Sequence, residues 1–225
     1  INLQKIKSLT TPSSDFSFAF ISDTHYHYSN LRTVIDHINA NESIQFVLFG
    51  GDIADQGLLK EFELFYSQLE NLKKPYLVVM GNHDYLSNGE DIYKKMYGDY
   101  NFSFEFNNYK FVMFDDVFWE SDKTPDFNWL ENELSDAFDF ESVFMIAHIA
   151  PFGDQFDAVS ESRFRDLMSA SNVQLSLHGH SHHYLFKEYY ADGVNYLVVP
   201  SMEDPVYSII TVENGIINST LIDLD

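Results

Sequence analysis

The strongest constraint on this chain is an alternation. Strand-length apolar runs at residues 16–22, 46–49 and 76–80 are separated by helix-period stretches at 31–40 and 58–72. Leu31, Val34, Ile35 and Ile38 fall on one helical face, as do Leu58, Phe62, Phe65 and Leu69. A strand–helix rhythm of this kind builds a sheet covered by helices. The middle of the chain then changes character. Runs at 102–106 and 110–114 flank Asn107-Asn108, a hairpin signal. A helix is predicted next, with Thr124 as N-cap, Pro125 in its first position and Trp129, Leu130 and Leu134 inward. Strands at 143–147 and 173–177 enclose a helix near 161–169. Beyond residue 185 the pattern is nearly all β. Runs at 185–190 and 195–199 flank Asp192-Gly193, and runs at 207–212 and 216–221 flank Asn214-Gly215. Both dipeptides suit two-residue turns with positive φ. The expected fold is α/β: a four-layer α-β-β-α sandwich of two mixed β-sheets flanked by helices. Residues 15–225 form its single domain, and 1–14 are a loosely ordered lead-in.

Bulk properties narrow the chemistry. The chain has 225 residues, 45% of them hydrophobic, which is enough for one real core. Its formal charge of −22 repels nucleic-acid backbones and anionic membranes, so general nucleic-acid binding is not expected. The same charge repels phosphate esters, so a phosphate substrate would need local cations to reverse the field. No run approaches the ~20 apolar residues of a membrane span. There is no cysteine, which rules out disulfides and thiolate ligands within this sequence. The first residue is Ile1. A removed leader or a trimmed chain would each suit it, and export to a periplasm or cell surface is favoured over a cytoplasmic location.

The polar residues collect where the runs end. Asp23-Thr24-His25 follows the first run, Gly50-Gly51-Asp52-Ile53-Ala54-Asp55 the second, and Gly81-Asn82-His83-Asp84 the third. His148 follows 143–147, and His178-Gly179-His180-Ser181-His182 follows 173–177. In open α/β sheets the C-terminal strand edge is where ligands bind. If these stretches are extended, residues i and i+2 face the same side, pairing Asp23 with His25 and His180 with His182. Asp, His and an Asn carbonyl suit Mn, Fe, Zn or Ni.

The ordered series Asp23-x-His25, Gly51-Asp52-x-x-Asp55, Gly81-Asn82-His83-Asp84, His148 and Gly179-His180-x-His182 resembles the calcineurin-like metallophosphoesterase superfamily. Within it, the chain is most similar to the bacterial cyclic-nucleotide-phosphodiesterase-like branch. The resemblance implies a dinuclear metal-dependent phosphohydrolase acting on a small phosphodiester or phosphomonoester. It implies that Asp23, His25 and His182 hold one metal and Asn82, His148 and His180 the other, with Asp52 between them. The ions would be two of Mn, Fe or Zn. A metal-bridging hydroxide would attack phosphorus, His83 would act as general acid, and Asp84 would hold the His83 ring.

Other readings carry less. A non-catalytic metal-binding scaffold of the same fold is the alternative. An amidohydrolase, suggested by His25-Tyr26-His27, conflicts with the β-rich C-terminal part. Asp55 is expected to cap the turn or helix at Leu58. His27 is either a cleft residue or a loop histidine, and His37 a surface or packing residue. His178 is expected to pack behind the site and His183 to point away from it. Residues 151–157 either shape a pocket or tuck under the domain. Arg163 and Arg165 are the nearest basic residues to the motifs.

Overall fold

The computed structural model describes residues 1–9 and 14–225. The order begins with α1 (Asn2–Lys7), β1 (Phe16–Ile21), α2 (Tyr28–Ala40), β2 (Ile44–Phe49), α3 (Leu59–Leu69), β3 (Tyr76–Val78) and α4 (Gly89–Met96). It continues with β4 (Phe102–Phe106), β5 (Tyr109–Met113), α5 (Phe127–Glu133), β6 (Ser142–Ile146), α6 (Ala158–Ala170) and β7 (Val173–His178). The chain closes with β8 (Leu185–Glu188), β9 (Asn195–Val198), β10 (Val206–Glu213) and β11 (Ile216–Asp223).

Two mixed sheets result. One runs β11-β10-β1-β2-β3 and the other β4-β5-β6-β7-β9-β8. Side-chain alternation along each strand separates three cores. Phe16, Phe18 and Phe20 of β1 meet Phe111, Phe144 and Ile146 between the sheets. Ala19 and Ile21 face the other way, onto α2 and α3. Val143 and Met145 of β6 face α5 and α6. Helices therefore cover both outer faces, and the expected four layers are present. The central layer is aromatic: Phe18 stacks on Phe46 at 5.2 Å, and Phe111 on Phe144 at 4.7 Å.

Several local expectations change. The lead-in carries α1, whose Ile6 is fully buried against the inter-sheet core with Leu3 and Leu9 beside it. Residues 10–13 of the expected lead-in lie outside the described residues. The N-cap of α5 is Asp126, whose carboxylate accepts from Trp129 N, while Thr124 and Pro125 precede it. Trp129 is only partly buried and stacks over Phe114. Asn107-Asn108 and Asn214-Gly215 do form two-residue turns with positive φ throughout. Asp192-Gly193 does not. The β8–β9 register pairs Glu188 with Asn195, leaving a six-residue connection, 189–194, with positive φ at Ala191 and Gly193. Tyr189 and Tyr190 leave the ladder because their side chains find other partners. Tyr189 stacks on Phe152 at 3.9 Å, and the Tyr190 hydroxyl donates to Glu161 at 2.6 Å.

β1, β2 and β3 are mutually parallel, as are β5, β6 and β7. Their C-terminal ends meet across the sandwich. His180 N, past β7, donates to the Asp23 carboxylate past β1 at 3.0 Å, and His148 Nδ1, past β6, lies 2.6 Å from Gly50 O past β2.

Candidate metal centre

The loops at these strand ends bring all seven expected ligands together. Asp23, His25 and His182 offer donor atoms within 4.8 Å of one another, and so do Asp23, Asp52 and His148. Asp52 Oδ2 lies 3.3 Å from His148 Nε2 and 3.8 Å from His25 Nε2, between the two groups. Asn82 Oδ1 lies 3.1 Å from His148 Nε2 and 3.0 Å from His180 Nδ1. Asp23 is fully buried, and both its oxygens accept from His180 N, at 3.0 and 3.1 Å. His182 is the open edge: its Nε2 lies 3.2 Å from Asp23 Oδ1, with the side chain 46% exposed.

The i, i+2 pairs converge for a different reason than extended parity. Asp23, His25, Asp52, His180 and His182 all have φ between 45° and 62°. That left-handed region is costly for residues with a Cβ, and its concentration here marks a backbone bent to aim side chains. Backbone bonds hold the bends: Asp23 N donates to Gly51 O and His25 N to Asp52 O, each at 3.0 Å. Two glycines permit the loops to touch. A Cβ on Gly81 would overlap Asp52 N and Oδ1, and one on Gly179 would overlap Ser22 Oγ and Asp23 Oδ2.

The donor set fits divalent cations. His148 Nδ1 is 2.6 Å from Gly50 O, a carbonyl that can only accept, so the ring's proton sits outward. His180 Nε2 likewise faces the Asp154 carboxylate at 3.1 Å. In the neutral rings the inner nitrogens then carry lone pairs, and both lie against Asn82 Oδ1, another acceptor. Acceptors this close repel unless a positive charge, a metal ion or a proton, sits among them. Burial disfavours an imidazolium at His148, yet Asp52 outweighs it and draws that pKa well up. Burial also opposes ionisation of Asp52, but the neighbouring histidines hold it low. At His25, burial lowers the pKa against the pull of Asp52, which favours the neutral ring a metal needs.

His83 lies in the same cluster. Its ring is 4.8 Å from the His25 ring, edge to face, and its backbone N donates to Asp52 Oδ1 at 2.8 Å. Asp84 does not hold that ring. Its carboxylate accepts from Ala54 N at 2.8 Å and Gly81 N at 3.0 Å, tying the second and third loops together. The His83 ring is held instead by Asp55 O, 2.7 Å from Nδ1. Asp55 does not cap α3 either. Glu61 Oε2 accepts from Leu58 N and Gln56 N at that end instead, at 3.0 and 2.9 Å. The Asp55 carboxylate stands 3.5 Å from His25 Nδ1, forming a third acidic–imidazole group with His83.

The remaining histidines separate cleanly. His178 is fully buried, its Nε2 paired with Ser176 Oγ at 2.7 Å, and burial pushes its pKa down to about 3. His183 is exposed and contacts Ser181 O. His37 is held by the Tyr207 hydroxyl at 2.8 Å. His27 precedes α2 and packs on the ring of Tyr26. Residues 151–157 tuck: Phe152 and Phe156 pack on the outer core. Arg163 and Arg165 are occupied on α6 by Glu131 and Asp166.

Three residues with no local sequence signal complete the surroundings. Glu120 Oε1 accepts from Asn82 Nδ2 at 3.0 Å. Gln155 Nε2 donates to Glu120 Oε2 at 2.8 Å. Asp116 accepts from His148 N and Ile149 N, at 3.1 to 3.2 Å, and burial pushes its carboxyl up to about 8.

A family profile described as calcineurin-like phosphoesterase matches residues 16–184. A probable cyclic nucleotide phosphodiesterase of Xenorhabdus bovienii is 33% identical over 66 residues, covering 28% of this chain and 27% of that protein. A probable glycerophosphodiester phosphodiesterase of Arcobacter nitrofigilis is 32% identical over 109 residues, covering 43% of this chain and 38% of that protein. The aligned stretches thus span well under two thirds of either relative. A dimetal phosphatase of Danio rerio has a similar fold, with a TM-score of 0.73 at 12% identity, covering 92% of this chain and 98% of that one.

Proposed function

From the premise that the chain belongs to the calcineurin-like phosphoesterase family, we propose that it is a two-metal phosphohydrolase acting on small phosphoric esters, diesters foremost. The single observation that carries this reading is the position of Asp52, reaching His148 on one side and His25 on the other. In the proposal, Asp23, His25 and His182 hold one ion, and Asn82, His148 and His180 the other, with Asp52 shared. The ions are Mn, Fe or Zn. Bound there, two such ions would supply the charge that clamps phosphoryl oxygens and acidifies a water. The phosphodiesterase names of the two relatives support diesters.

The chain's own groups have separable tasks. Asp52 and Asp23 bring negative charge that makes the pocket selective for cations despite its histidines. His83 protonates the leaving oxygen as the P–O bond breaks. Its Nδ1 already donates to Asp55 O, so Nε2 is the nitrogen left to deliver the proton. Asp55 is therefore the positioning residue for His83, through its backbone. Asp84 keeps the Asp52 and Asn82 loops in register. Arg163 and Arg165 are engaged elsewhere, leaving charge neutralisation to the metals.

The test is hydrolysis of bis(p-nitrophenyl) phosphate and p-nitrophenyl phosphate by the Mn-loaded and the chelator-stripped protein. Hydrolysis by the loaded form alone, faster on the diester, is expected. Two bound Mn ions with no ester cleaved would instead favour the non-catalytic scaffold.

A further inference from the structure

We propose that Gln155 and Glu120 form a hydrogen-bond relay that decides which end of the Asn82 amide faces the metal centre. The inference deepens the two-metal reading and rests on Asn82 being a ligand. The relay starts at the backbone. Phe118 N and Trp119 N both donate to Gln155 Oε1 at 3.1 Å. That fixes the oxygen end of the Gln155 amide, so its nitrogen must point onward, and it donates to Glu120 Oε2 at 2.8 Å. The other Glu120 oxygen accepts from Asn82 Nδ2 at 3.0 Å. A carboxylate accepts on both oxygens and donates on neither. Glu120 therefore draws the Asn82 nitrogen outward and leaves Oδ1 facing His148 Nε2 and His180 Nδ1.

The relay opposes a local preference. With both rings neutral, as ligation requires, two imidazole lone pairs would each accept an N–H, so an unrestrained Asn82 amide would turn its nitrogen inward. In that orientation it offers no lone pair to a cation. The relay is rigid because its origin is packed. Gln155 is 4% exposed, and the loop that carries it is pinned by Phe156 against Phe118 and Phe164. The same loop sends Asp154 to His180 Nε2. Residues 151–157, which contribute no ligand, thus position two ligands of one subsite.

The diagnostic substitution is Glu120→Gln, which keeps shape and changes only polarity. Gln155 still presents an N–H, so the new amide turns its oxygen to Gln155 and its nitrogen to Asn82. Asn82 must then flip. The double variant E120Q/Q155E restores the order. The carboxylate at 155 accepts both from the backbone and from the amide at 120, whose oxygen again accepts from Asn82. Calorimetric titration of the full chain with Mn2+, with EPR of the dinuclear signal, reads the effect. E120Q is expected to bind the second Mn2+ about 10- to 100-fold more weakly, the usual range for such outer partners. The double variant is expected to recover most of that loss, with the melting temperature of each metal-free protein unchanged. Equal second-site affinity in E120Q overturns the relay, as does a loss that the double variant does not recover. Fewer than two Mn2+ bound by the unsubstituted protein overturns the two-metal reading, and the relay with it. If E120Q fails to fold, Glu120→Ala replaces it: it frees the Asn82 amide without a mismatch, and an unchanged second site again overturns the relay.

Discussion

Gly179→Ala isolates the close approach between the two sheets at the metal centre. The added Cβ would overlap Ser22 Oγ and Asp23 Oδ2 and stand 2.7 Å from Ser22 Cβ. No backbone strain enters, because Gly179 is not among the positive-φ residues. The Ser22 hydroxyl has no hydrogen-bond partner and can rotate away. Asp23 cannot, since both its oxygens accept from His180 N and its backbone is fixed by Gly51 O and Met202 N. The β1 and β7 loops must therefore part. Overpacking of this kind costs about 1–3 kcal/mol. For a domain of this size each kcal/mol is worth roughly 2–4 °C, so a melting temperature about 4–8 °C lower is expected for the middle of that range. Separation of Asp23 from His182 should also weaken one of two bound Mn2+ ions. Differential scanning calorimetry with and without Mn2+, and metal analysis after gel filtration, read both effects. Ser22→Ala in the same chain should recover only part of the loss, because the Asp23 overlap remains. A Gly179→Ala protein that melts and binds Mn2+ like the unsubstituted chain would refute the argument that this contact is rigid.

His83→Ala should retain both metals and lower turnover by about 10²–10⁴ on esters with poor leaving groups, and least on p-nitrophenyl esters; unchanged turnover on an alkyl ester removes His83 from the mechanism. Asp115 is held by the Tyr85 hydroxyl, and burial pushes its pKa up to about 6, with Lys123 lowering and Glu90 raising it. A raised carboxyl pKa means its stability contribution is full below the unfolded value and is lost as pH rises through the folded one. Between pH ~4 and ~6 it should therefore withdraw about 2–3 kcal/mol, and Asp115→Asn should flatten urea midpoints over that window; an unchanged pH slope in the variant would count against the assignment. Phe111, stacked 4.7 Å from both Phe104 and Phe144, is the centre of the inter-sheet layer. Phe111→Ala should cost about 3–5 kcal/mol in urea unfolding, and a loss below 1 kcal/mol would mean the layer collapses to fill the gap.

What could be read along the chain was whatever a short window encodes. Strand and helix periods placed both sheets, and the turns at Asn107-Asn108 and Asn214-Gly215 formed because Asn and Gly tolerate positive φ. The candidate ligand types at five strand ends were legible for the same reason: each motif is local. Asp192-Gly193 carries an equally good turn signal, but stacking of Tyr189 on Phe152, 37 residues away in sequence, overrode it. The lead-in hid α1 because six residues are too few to show a period, and its helix depends on burying Ile6.

Tertiary structure alone decided the rest of the site. The Asp23–His25 and His180–His182 pairs converge through left-handed backbone, which no side-chain parity rule reports. Asp84 turned from the His83 ring to two backbone N–H groups, because burial demands partners for both its oxygens. Asn82, Glu120 and Gln155 come from three separate loops, and nothing in a one-dimensional pattern says that they touch. The sequence by itself determined which atoms can bind a metal. Only the packing of one sheet on the other determined which of those atoms face each other, because hydrogen-bond direction at long sequence separation is set by where the loops meet in space.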